Sequence, residues 1–129
     1  MPKTVLIRCR MVACRDDGSS WTFYLVNDND FSLDEAILYE VNYEWGDWGS
    51  SEPADVHLAG LASGGNAKIW RDSGSGVELR MELCLRIRHA GRTAQMKFEF
   101  PKLYRKKDLP VVNTLDTPGW EEFGQARLQ

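Results

Sequence analysis

The chain has 129 residues and a formal net charge of −3, with 43% hydrophobic and 27% charged residues. That balance excludes wholesale disorder and fits one domain able to bury a core without disulfide staples. No segment reaches the roughly 20 apolar residues needed to span a bilayer, and the run Val5-Leu6-Ile7 is too short for the apolar part of a secretory signal, so a cytoplasmic location and no membrane partner are expected.

Residues 5 to 13 set Val5, Ile7, Cys9, Met11 and Ala13 against Arg8 and Arg10, the period-two mark of a half-buried strand. Cys9 and Cys14 would then lie about 16 Å apart along one strand, well beyond the roughly 7 Å between Cα atoms that a disulfide tolerates. Reduced thiols are expected. Asp16 to Ser20 read as a turn, followed by a strand over 21–26 and the corner Asn27-Asp28-Asn29-Asp30, whose short polar side chains cap their own backbone. A calcium reading of that corner fails for want of the loop glycine and the spaced glutamate.

The next strand, over 36–45, places Ile37, Tyr39, Val41, Tyr43 and Trp45 on a core face and Glu40, Asn42 and Glu44 outside. Residues 46–55 are punctuated like a surface loop carrying Trp48. A short strand over 56–58, a turn at 63–66 and a strand over 67–71 follow. After the turn Ser73 to Gly76, positions 77, 79, 81, 83, 85 and 87 are all apolar, with Cys84, Arg86 and Arg88 on the other face. His89-Ala90-Gly91-Arg92 is a hairpin turn into a strand over 93–100, which Pro101 ends. In the tail, Thr117 as cap, Pro118 at the first helical position and Glu121 and Glu122 in the first turn favour a short helix bearing Trp120 and Phe123.

About seven strands at 8- to 12-residue spacing predict an all-β, immunoglobulin-like antiparallel β-sandwich over 1–104, followed by a C-terminal tail over 105–129 with that short helix. The disulfide between the sheets of antibody domains has no counterpart, because Cys84 falls on the outward parity of its strand.

Charge is distributed unevenly. Eleven Asp or Glu and no Lys or Arg lie between positions 16 and 67, whereas 68–107 holds eleven basic and four acidic residues. In an immunoglobulin-type sheet, Glu40 and Glu44 would neighbour Arg80, Arg86 and Arg88, giving either a self-neutralised face or a recognition surface for another protein. The second basic group, Arg92, Lys102, Arg105, Lys106 and Lys107, invites a nucleic-acid reading, which the acidic total and sparse aromatic interleaving disfavour.

Catalysis is not expected: the only histidines are His57 and His89, and no nucleophile motif is present. Cysteine and histidine spacings of five residues place neither Cys9 with Cys14 nor Cys84 with His89 on one strand face, so no metal or other cofactor is expected. Aromatics supply the remaining candidates. Trp45 and Trp48 bracket a glycine-containing stretch, and tryptophan is enriched at interface hot spots.

The residues Phe23-Tyr24-Leu25-Val26-Asn27-Asp28 with Phe31, together with Lys97-Phe98, Phe100 and Lys102-Leu103-Tyr104, resemble the small β-sandwich domain found beside Smr domains in some bacterial proteins. The resemblance implies an accessory or interaction module and no catalytic residue, since the Smr nuclease part has no counterpart. The leading expectation is a non-enzymatic binding module for another protein, or for self-association through an edge strand, with Trp45, Trp48, Trp120, Phe123, Arg86 and Arg88 as binding residues. The alternatives are a carbohydrate or small-ligand site built on Tyr39, Tyr43, Trp45 and Trp48, and a nucleic-acid-associated accessory protein.

Overall fold

The alternation of apolar and polar residues noted above becomes two antiparallel sheets packed face to face. The computed structural model describes residues 5–16, 20–72, 79–103 and 108–129. The parts of the expected turns at 17–19 and 73–76, the expected strand start at Val77, and the basic run Arg105-Lys106-Lys107 lie outside the described residues.

Among the described residues ten strands follow in chain order: β1 (Leu6–Arg15), β2 (Trp21–Asn27), β3 (Leu33–Trp45), β4 (Trp48–Leu61), β5 (Asn66–Asp72), β6 (Arg80–His89), β7 (Arg92–Phe100), β8 (Val111–Val112), β9 (Thr117–Pro118) and β10 (Trp120–Arg127). The first sheet has the order β10-β1-β2-β5, the second β4-β3-β6-β7, and β8 and β9 form a two-stranded ribbon. Between the sheets lie Ile7, Met11, Phe23, Leu25, Leu38, Val41, Leu83, Leu85 and Phe98, all at most 1% exposed. Phe23 of the first sheet meets Phe100 of the second edge to face, with ring centroids 5.1 Å apart, the geometry that aromatic quadrupoles favour.

A second, smaller apolar cluster lies on the outer face of the first sheet. There the ribbon brings Val112 and Leu115 onto Val12, Cys14, Val26 and Tyr24. This explains why Val12, which breaks the alternation of β1, is fully buried.

Two expectations fail for the same physical reason, a local signal overridden by pairing with a distant strand. The tail is not helical: Trp120–Arg127 is strand β10, paired with β1 from Leu6↔Arg127 to Ala13↔Trp120. A helix there would leave the β1 edge with open N–H and C=O groups, and the ladder satisfies them. Likewise residues 48–55 are not loop but the first half of β4, held by β3 from Trp45↔Trp48 onward despite Gly49, Ser50, Ser51 and Pro53.

A third correction concerns which side of β3 faces inward. Its register against β6 shifts between Leu38 and Glu40, so that Leu38↔Leu85 is followed directly by Glu40↔Cys84 and Tyr39 is the additional residue. Such a bulge switches the parity of the strand. Val41 and Tyr43 point inward as expected, but upstream the core residues are Ala36 and Leu38, while Ile37 and Tyr39 are only half-buried.

Candidate functional site

The turn that joins β3 to β4 has only two central residues, Gly46 and Asp47, and Gly46 has φ +58°. Glycine at the first central position is what a tight hairpin of right-twisted strands requires. The turn therefore sets Trp45 directly opposite Trp48, one pair beyond the last β3–β6 partners, Glu44↔Arg80. At this end the indole rings have run past the core, and they are 62% and 54% exposed. The expectation that Trp45 faces the core is thereby corrected.

Next to this tip an open groove of about 560 Å³ crosses the second sheet, lined among others by Asn42, Glu44, Ser51, Arg80, Glu82 and Glu99. Its polar groups are wired together: Ser51 Oγ donates to Asn42 Oδ1 at 2.7 Å, and Asn42 Nδ2 donates to Glu82 Oε1 at 2.8 Å. The Asn42 hydrogen bond is the main reason that the Glu82 carboxyl titrates below its ordinary range. Tyr43 also lines the groove, but its ring belongs to the core and its hydroxyl donates to Asp72 Oδ2 at 3.3 Å. Burial foremost, then Asp72, pushes the Tyr43 phenol upward.

The remaining binding candidates do not converge on the tip. Arg86 and Arg88 lie on the outer face of the second sheet toward its other end. The Arg86 guanidinium sits 5.4 Å from the centroid of Tyr39, and Arg88 pairs with Glu35 at 3.3 Å. Trp120 and Phe123, expected on one helix face, project instead from opposite faces of β10, as positions three apart on a strand must. Trp120 is half-buried and donates from Nε1 to Glu122 at 3.1 Å, whereas Phe123 stands opposite Arg10 and is 77% exposed.

The three thiols are free and buried. Desolvation, aided by Asp28, pushes Cys9 up to about 12; desolvation with Asp16 pushes Cys14 up to about 11. Cys84 faces outward as expected, yet it is only 2% exposed and is pushed up to about 11 by burial and Glu82. Thiols held this far above neutrality are poor nucleophiles and poor ligands. Among the described residues, no group of three or more His, Cys, Asp or Glu is placed to hold a metal ion, and no helix is long and apolar enough to cross a membrane.

On the second sheet His57 stands between two carboxylates. Its Nε2 lies 2.6 Å from Asp55 Oδ1 and its Nδ1 3.5 Å from Glu35 Oε2, so both ring nitrogens face carboxylates and its pKa is raised, by Asp55 first and Glu35 second. A raised histidine contributes stability below its unfolded value, lost as pH rises through its folded value. In an Asp55→Asn variant, the His57 midpoint followed by NMR of the ring protons falls toward the ordinary 6.5. An unchanged midpoint would refute the assignment.

Sequence reasoning found the tryptophans but missed Asn42, Ser51 and Glu82 as a connected group, because it placed Ser51 in a loop. No family model, curated protein or solved structure matches the chain.

Proposed function

We propose that the chain is a non-enzymatic protein-interaction module with an immunoglobulin-like sandwich, working in a reducing compartment such as the cytoplasm. The fold part of this reading is supported by strand order: β1-β2-β5 and β3-β6-β7 follow the A-B-E and C-F-G arrangement of immunoglobulin domains. The compartment is supported by three buried free thiols. The resemblance to the sandwich domain beside Smr domains agrees with an accessory role.

One observation carries the functional reading: the exposed cross-strand pair Trp45 and Trp48 at the tip of a tight hairpin. Two large rings held on paired strands present apolar area with little entropy left to lose on binding, as interface anchors do. The test is a pull-down from the protein's own cell extract with wild type and a Trp45→Ser/Trp48→Ser variant, each partner band then being titrated. Loss of a hot-spot pair costs about 2 kcal/mol or more, so affinity falls at least roughly thirtyfold. Equal recovery by both forms overturns the reading.

A second reading keeps the same rings. The groove beside the tip offers amide, hydroxyl, carboxylate and guanidinium groups, the polar half of what grips a sugar ring, and its lining residues Glu44 and Gly49 flank the two tryptophans in the chain. Of the four aromatics first considered for this role, Tyr43 is in the core and Tyr39 lies under Arg86, which leaves Trp45 and Trp48. Quenching of tryptophan fluorescence by neutral oligosaccharides would favour this reading over a protein partner.

A further inference from the structure

The uneven charge of the sequence acquires a geometric form on the second sheet. Strands β3 and β4 come from the acidic stretch, β6 and β7 from the basic one, and the four lie side by side in the order β4-β3-β6-β7. On the outer face β3 presents Glu35, Glu40 and Glu44, at the rows of Arg88, Cys84 and Arg80 respectively. Its neighbour β6 presents Arg80, Arg86 and Arg88, three exposed arginines. An acidic stripe therefore runs along a basic stripe over the nine steps from Glu35 to Glu44, roughly 30 Å at the strand rise.

The stripes neutralise each other poorly within one copy. Among the described residues Arg88–Glu35 is the ion pair that crosses from β3 to β6, and Glu40, Glu44 and Arg80 make none. Glu82, the carboxylate on β6, is taken by Asn42. Ile37 and Tyr39 are half-buried between Glu35 and Glu40, with Arg86 over the Tyr39 ring, which adds apolar area to the charged face.

From this layout we propose that the outer face of β4-β3-β6-β7 is an interface for a second copy of the same chain. A two-fold axis running along the strands between β3 and β6 lays the acidic stripe of each copy on the basic stripe of the other. Because both stripes are on one surface, every contact occurs twice, which is the condition for a closed isologous dimer. A different protein would have to match both stripes at once; a second copy does so by symmetry. Trp45 follows Tyr43 in parity and so projects from the other side of the hairpin, which leaves the tip uncovered. This dimer therefore leaves the protein-binding reading of the tip untouched, while its face includes Glu44 and Arg80 of the groove on which the sugar reading rests.

The test uses two variants of the full chain, read by light scattering after gel filtration at low salt, where surface charge is least screened. One carries Glu40→Lys and Glu44→Lys, so that both stripes are basic; the other carries Arg80→Glu and Arg86→Glu, so that both are acidic. Wild type is expected at twice 14.7 kDa, each variant alone at the monomer mass, and their equimolar mixture again at the dimer mass. Restoration on mixing cannot come from misfolded components. A wild type that stays monomeric at every concentration, or a mixture no heavier than its parts, overturns the proposal.

Discussion

Replacing Asn27 with Ala is expected to destabilise the protein by roughly 3–5 kcal/mol, although the side chain touches no apolar core residue through its polar end. Asn27 is 0% exposed. Its Nδ2 donates to the carbonyls of Phe31 at 2.9 Å, Leu61 at 3.0 Å and Ala62 at 3.1 Å. Its Oδ1 accepts from the Asn29 backbone N–H at 2.9 Å and from Asn29 Nδ2 at 2.8 Å. Asn29 in turn accepts from Arg8 N and donates to Arg8 O, each at 2.9 Å. Two carboxamides thus tie β1, the end of β2, the approach to β3 and the β4–β5 turn at one corner.

Alanine would strand the buried Leu61 carbonyl, the part-buried Phe31 and Ala62 carbonyls and the buried Asn29 amide donor, the buried groups costing about 1–3 kcal/mol each. Asn27→Asp separates the causes: it keeps an acceptor for Asn29 but turns a carboxylate oxygen toward the three carbonyls, so it should be at least as harmful. Urea unfolding of the three forms is the measurement. A loss below about 1 kcal/mol for Asn27→Ala would show that water replaces the lost donors and that the corner is ordinary turn chemistry.

This corner also shows how far the sequence could be read. Its residue types announced a backbone-capping corner, since Asn and Asp bond locally, and the corner is one. What they could not announce is reach, because Leu61, Ala62 and Arg8 are partners brought in by the fold. Strands β1, β2, β5, β6 and β7 were legible to within a few residues: β6 and β7 write period two into the chain, whereas β2, buried on both faces, showed itself as a short β-branched and aromatic run between turn residues. For β3 only the lower half was legible: one additional residue, Tyr39, inverts the parity, and an inserted position looks like any other in a string of mixed residues. The upper half of β4 was masked by glycine, serine and proline, which an edge strand tolerates because one side of it needs no ladder.

The candidate site followed the same division. Trp45 and Trp48 were identifiable by type, but their exposure depends on β3 outrunning its β6 partner, a tertiary fact. The groove group Asn42, Ser51 and Glu82 required knowing that β4 pairs with β3. The charge stripes were half-visible as a bias along the chain, and only the strand order turned that bias into two adjacent lines on one surface.

The strand least legible of all, β10, yields the other large prediction. Its inward positions read Trp120, Glu122, Gly124 and Ala126 opposite Ala13, Met11, Cys9 and Ile7, so no apolar alternation betrays it. The glycine is there because β10 closes against β7: a Cβ at position 124 would lie 2.6 Å from Phe98 Cε1 and 2.8 Å from Met96 Sδ. Phe98 is 1% exposed and Met96 3%, so neither ring nor thioether can yield toward solvent.

Gly124→Ala should therefore cost about 1–3 kcal/mol by overpacking, and Gly124→Val more. The damage should also be local. Hydrogen exchange of the β1 amides that pair with β10 should speed up, while those of β3 and β6 keep their protection, because β10 can lift from the edge without opening the core. Combining Gly124→Ala with Phe98→Leu should recover part of the loss, a coupling that additive costs cannot produce. If Gly124→Val unfolds the molecule no sooner than wild type, the close approach of β10 to β7 is not what selects glycine here.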